Sequence, residues 1–221
     1  MLNNFVEFKN EIDSLEQEIF EFYNSKNEIK RKLISDGIVN IEEYYNSNIK
    51  IMWILKEPRD GKNSTGGGWS IVENLKDVRS KGLNKDSPQT FLPIIYTTFA
   101  LLNDIKNYSQ LETKKVYTDY SKCLNNIAYI NIQKLPANSN SKNKEVEKAY
   151  EVDKEIILKQ IQAINPDVII SCVGNNIFMN LKKDLNIEFV NKKKFINSYH
   201  PAQISIKRTE YVNRILKNYY S

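Results

Sequence analysis

Three short apolar runs, each breaking off into a polar loop, restrict this chain to a small set of folds. Ile49-Lys50-Ile51-Met52-Trp53-Ile54-Leu55 stops at Lys56-Glu57-Pro58-Arg59-Asp60; IAYINI, residues 127–132, stops at QKLPANSNSKNK; DVIISCV, residues 167–173, stops at Gly174-Asn175-Asn176. Runs this short and this rich in branched side chains read as buried strands. The helical stretches between them, with Asn165-Pro166 ahead of one strand and a Gly turn after it, form the handovers of a parallel α/β sheet. Ligands bind such sheets at the carboxyl ends of the strands, so the three loops hold the first candidates for function.

The intervening segments carry helical periodicity. Phe5, Phe8, Ile12, Leu15, Ile19 and Phe22 recur at steps of three and four, which predicts a first helical element over residues 5–33 packed on the body of the domain. Asp36-Gly37 ends it, and residues 38–45 read as a short helical connection. Further helices are expected over 70–80, over 88–106 with Phe91, Ile95, Phe99 and Leu102 on one side, within 114–124, over 145–164, and from Ile177. Residues 187–190 and 194–199 supply the last strand, ending in SYHPAQ. The whole of 1–221 reads as one domain, with 1–45 as an N-terminal helical extension packed on it.

Composition narrows the classes. No basic-then-apolar leader begins the chain and no apolar run approaches the ~18 residues that span a bilayer, which predicts a cytoplasmic protein with no membrane partner. Two lone cysteines, Cys123 and Cys172, exclude four-cysteine iron–sulfur or zinc ligation and read as reduced core residues. Nothing has metal-ligand spacing, so no cofactor or metal is expected. The net charge of +5 leans toward a polyanion, although most of the lysines behind it read as solvated.

Pro58 keeps Glu57 out of the helical region and aims its carboxylate from a fixed backbone, as a general base or equally as a helix cap or a solvated loop charge. The loop beyond, with Gly61, Lys62, Ser64, Thr65, Gly66, Gly67 and Gly68, lacks the spacing of a P-loop or a dinucleotide fold. It reads as a phosphate cradle or, more economically, a mobile lid. Asn131, polar among apolar neighbours, requires a hydrogen-bond partner from the backbone or from a ligand; its amide offers both a donor and an acceptor, as reading a nucleobase edge demands. Lys134, Lys142 and Lys144 follow as phosphate contacts or plain linker. His200, the one histidine, precedes Pro201 at an apparent strand end.

In this order LKEPRD, AYINIQKLPAN, NPDVIISCVG and SYHPAQ resemble the uracil-DNA glycosylase superfamily over roughly residues 49–205, within the usual boundary error. The resemblance implies a three-layer α/β/α fold around a mostly parallel four-stranded sheet, and hydrolysis of the N-glycosidic bond of a base flipped out of DNA. It gives Glu57 the role of the acidic residue that positions or activates water at the sugar C1′, Asn131 that of base reader, and His200 that of stabilising the departing base. Pro58, Arg59, Gly67, Gly68 and Trp69 become candidate substrate contacts. Lys134, Gly174, Asn175, Ile204, Lys207 and Arg208 become candidate DNA contacts, with Ile204 or Ile206 filling the gap in the base stack. Lys56 and Arg59 beside Glu57, a longer Gly-rich loop and no bulky aromatic gate depart from the strict uracil enzymes; the resemblance to relatives that attack phage DNA implies instead a modified base such as hydroxymethylated or glucosylated cytosine, for which that loop and the missing gate leave room. The enzyme is expected to act as a monomer.

The chemistry is consistent with these residue types. Breaking an N-glycosidic bond places positive charge on the sugar and negative charge on the base, so a carboxylate and hydrogen-bond donors lower one barrier together. Two other classes stay open: a nucleic-acid-binding module that kept the fold without the chemistry, and a hydrolase of free nucleosides or nucleotides.

Overall fold

The computed structural model describes residues 2–26, 31–58, 60, 66–81, 88–116, 119–137 and 143–221. Five strands form one sheet: β1 (Gly37–Ile38), β2 (Ile51–Leu55), β3 (Ile127–Asn131), β4 (Val168–Ser171) and β5 (Lys194–Asn197), in the order β1-β3-β2-β4-β5. The last four run parallel, and β1 pairs antiparallel with β3 at the edge. The expected four-stranded sheet is therefore corrected to five. The added strand has two residues, too few for an alternating pattern to show in sequence.

Helices cover both faces, giving three layers. On one face lie α3 (Ile71–Lys81), α4 (Pro88–Leu102), 3-10 turns within 108–126, and α8 (Arg208–Tyr220); on the other lie α1 (Leu2–Ser25), α5 (Asn143–Ile164), α6 (Asn175–Asp184) and α7 (Ile187–Asn191). The short α2 (Ile41–Tyr45) joins β1 to β2. Every residue of β2, β3 and β4 is buried, with Ile51, Trp53 and Leu55 facing one layer and Met52 and Ile54 the other. Trp53 also donates its indole N–H to Thr98 of α4 at 3.1 Å.

The amphipathic stripe of α1 buries Ile12, Leu15 and Ile19, about 1.5–3 kcal/mol each. At its end Tyr23 rather than Phe22 is buried, because the Tyr23 hydroxyl donates to the buried Asp153 of α5 at 2.7 Å. The helix stops at Ser25, short of the expected 33. Residues 187–190, expected to contribute to a strand, are helical: Asn186 accepts from the Glu188 N–H at 2.8 Å as an N-cap, and Ile187 stays exposed. In place of the helix expected within 114–124, 3-10 turns cover Thr113–Lys115 and Tyr120–Asn126, and α8 was not foreseen. No helix among the described residues is long and apolar enough to cross a membrane.

The chain leaves β2 toward α3 and α4 on one face. It leaves the two neighbouring strands, β3 and β4, toward α5 and α6 on the opposite face. Adjacent connections that part to opposite faces open a crevice at the carboxyl edge, so this topology puts the crevice around the end of β2.

Candidate functional site

Glu57 stands two residues past the end of β2, at the edge where this topology puts the crevice. The β2–β3 ladder continues beyond the strands: Ile132 N–H donates to Leu55 O at 2.9 Å, Gln133 N–H to Lys56 O at 2.8 Å, and Ala137 N–H to Pro58 O at 3.2 Å. Carbonyls on both sides of Glu57 are thereby tied to the loop after β3, and Pro58 is buried. The half-buried Glu57 side chain starts from a fixed backbone.

Asn131 is the register partner of Leu55 and shares its face of the sheet with Ile127 and Tyr129. It is 1% exposed, and neither Oδ1 nor Nδ2 has a hydrogen-bond partner among the described residues. Native structures rarely leave a buried amide in that condition, which costs about 1–3 kcal/mol. Its main chain, by contrast, is fully engaged. The Asn131 N–H donates to Asp36 Oδ2 at 2.7 Å, and its carbonyl accepts from Lys134 Nζ at 3.2 Å. Asp36 and Lys134 are themselves a buried ion pair, Nζ to Oδ1 2.6 Å, with Gln160 of α5 donating to the same Oδ1 at 3.1 Å.

This corrects the reading of Lys134 as a phosphate contact. The residue is 0% exposed and its charge is spent inside the fold. The sequence concealed it because a lysine in a polar loop looks the same whether it faces water or a buried carboxylate.

His200 lies in a turn three residues past β5. Its Nδ1 accepts from the Ala202 N–H at 3.2 Å and its carbonyl from the Gln203 N–H at 3.0 Å. An accepting Nδ1 puts the proton of the neutral ring on Nε2, which makes that nitrogen a donor. The Gln203 side chain braces the turn by bonding both the N–H and the carbonyl of Ile206. From below, the buried Tyr211 of α8 donates to Tyr199 O at 3.0 Å, and its hydroxyl lies 3.6 Å from the Cys172 sulfur at the end of β4. Neighbouring strands lie ~4.8 Å apart, so the ends of β3, β2 and β5 span about 14 Å along the crevice.

The Gly-rich loop is held where it is described. Residues 66–70 lie parallel to 31–35: Lys32 N–H donates to Gly66 O at 2.8 Å, Gly68 N–H to Leu33 O at 2.9 Å, and Ser35 N–H to Trp69 O at 3.1 Å. Asp60 Oδ2 accepts from Gly67 N–H at 2.7 Å and from the Trp69 indole N–H at 2.8 Å. Trp69 is partly buried and packs against the core, which anchors the loop. These bonds tie 66–70 to 31–35 and to Asp60. Arg59, Gly61, Lys62, Ser64, Thr65 and Lys142 lie outside the described residues.

Of the remaining DNA-contact candidates, Gly174 and Asn175 are exposed at the start of α6, although Asn175 Oδ1 accepts from Asn197 at 3.2 Å. Ile204 is 91% exposed, whereas Ile206 packs against the core; of the two, Ile204 is the one that projects outward. Lys207 and Arg208 are exposed at the start of α8, the Arg208 guanidinium 6.0 Å from the centre of the Tyr96 ring.

Asp36, Asp60 and Tyr211 hold the site together and were not singled out from sequence. Asp36 had looked like a helix stop. Among the described residues no group of three His, Cys, Asp or Glu side chains is arranged to hold a metal. No protein-family model and no curated protein matches this chain.

Proposed function

We propose that this protein is a DNA glycosylase of the uracil-DNA glycosylase type, acting on a modified base such as hydroxymethylated or glucosylated cytosine. The observation that carries the reading is Asn131: a buried amide at the crevice edge with both its donor and its acceptor unpartnered among the described residues. A base edge presents the complementary pair, and a flipped base would supply both bonds at once. Glu57, one strand away on a pinned backbone, supports the sugar end of the same reaction.

In the proposed mechanism the C1′–N bond breaks and its electron pair leaves with the base. Glu57 stabilises the positive sugar and orients water, whose oxygen bonds to C1′ while one of its protons passes to the Glu57 carboxylate and on to solvent; the released base anion takes up a proton from solvent. His200 and Asn131 donate hydrogen bonds to the departing anion. A donor placed in this way contributes about 2.7–4 kcal/mol to the barrier.

The test is base release from duplexes carrying uracil, hydroxymethylcytosine or glucosylated hydroxymethylcytosine, read as abasic sites, beside Glu57→Ala. Release from a modified duplex, lost in the variant, is the expected result. Turnover of uracil with the modified bases untouched overturns the choice of substrate. No release from any duplex, with salt-sensitive DNA binding intact, replaces the enzyme by a binding module of the same fold.

A further inference from the structure

Resting on the reading of Asn131 as base reader, we infer that the buried Asp36–Lys134 ion pair is its positioning device and sets base discrimination. A strand residue is ordinarily aligned by neighbouring strands on both sides. At Asn131 the neighbour on one side runs out: β1 pairs with β3 as far as Gly37–Tyr129, and no β1 residue faces position 131. The Asp36 carboxylate takes over, accepting the Asn131 N–H at 2.7 Å, while Lys134 reaches back to the Asn131 carbonyl at 3.2 Å.

The two charged groups also bind each other at 2.6 Å, with 0% and 1% side-chain exposure, so the clamp is closed and dry. Gln160 ties it to α5, and Ile34 N–H donates to Lys134 O at 2.9 Å, joining it to the segment that holds the Gly-rich loop. A side-chain amide that reads a base must be held to a fraction of an ångström, and charge-assisted bonds to its own main chain do this without occupying the amide.

Single-turnover base release is measured on the glucosylated-hydroxymethylcytosine and uracil duplexes for the parent, Asp36→Asn, Asn131→Ala and the neutral pair Asp36→Asn/Lys134→Met. The neutral pair leaves no unpaired buried charge and so retains the fold where the single change fails. The expected result is a loss of about tenfold in the ratio of the two rates with DNA affinity unchanged, and no further loss when Asn131→Ala is added, since coupled residues do not act independently. A ratio equal to the parent's, or both rates falling together, overturns the inference. If the parent releases neither base, the glycosylase reading fails separately, and the clamp is decided by the Asn131 main-chain amide proton in a ¹⁵N spectrum. It moves upfield in the neutral pair if the clamp holds Asn131, and an unmoved resonance overturns it.

Discussion

Replacing Asn131 by leucine should make the protein more stable and less active. Leucine has a similar volume and no polar atoms. It removes an amide that is 1% exposed and whose two polar atoms lack partners among the described residues, a condition that costs about 1–3 kcal/mol. For a domain of this size each kcal/mol moves the melting temperature by about 2–4 °C, so Asn131→Leu should melt about 2–12 °C higher. Asn131→Ala, which trades the same relief against a small cavity, should fall between leucine and the parent. On the proposed mechanism both variants lose about 100- to 1000-fold in base release. Calorimetry with urea titration at neutral pH is the assay. If both variants melt below the parent, the amide is satisfied in solution, and the observation behind the base-reading role is lost. Stability gained where function is lost marks a site whose strain is retained for use.

Three other outcomes follow from the same geometry. Lys207→Ala with Arg208→Ala should flatten the slope of log affinity for DNA against log salt by about 1.8, whereas Lys134→Met should leave that slope alone and instead cost about 3–5 kcal/mol of stability by stranding Asp36; a flatter slope for Lys134→Met would contradict its burial. Gly67→Ala puts a Cβ 2.0 Å from the Lys32 carbonyl oxygen at a φ of +85°, and should cost at least ~1–3 kcal/mol of stability, read as a lower urea midpoint at constant m-value; an unchanged midpoint would show that 66–70 is not held against 31–35. Burial pushes the Cys172 thiol from 9.0 up to about 12. Its folded value is raised, so its contribution is full below pH 9 and is lost as pH rises toward 12, at about 1.4 kcal/mol per unit. Cys172→Ala should therefore show a shallower fall in stability between about pH 9 and about pH 11 than the parent, and equal slopes would refute the assignment.

Local pattern determined the frame. Runs of branched apolar residues too short for buried helices could satisfy their backbones only as central strands, and the Asn165-Pro166 and Gly174 punctuation set their ends. Glu57, Asn131 and His200 were legible as strand-end residues because a polar group just past such a run has one place to go, the carboxyl edge of the sheet. Elements set by a cap or by long-range packing did not show in the same way. Ile187–Asn191 has the composition of a strand and is turned into a helix by one Asn186 side chain, and α8 is buried through only Tyr211, Val212, Ile215 and Leu216.

Partnership was decided by tertiary structure alone. Lys134 and Lys207 are both lysines in polar surroundings, yet one is sealed against Asp36, 98 residues earlier in the chain, and the other faces water. Trp69 became an anchor because Asp60 reaches its indole, and the main chain of Asn131 is clamped because β1 ends just short of it. A sequence records which groups can donate, accept or carry charge. Which of them meet depends on a chain folded across a hundred residues, where burial makes an unmet bond costly enough to select one partner.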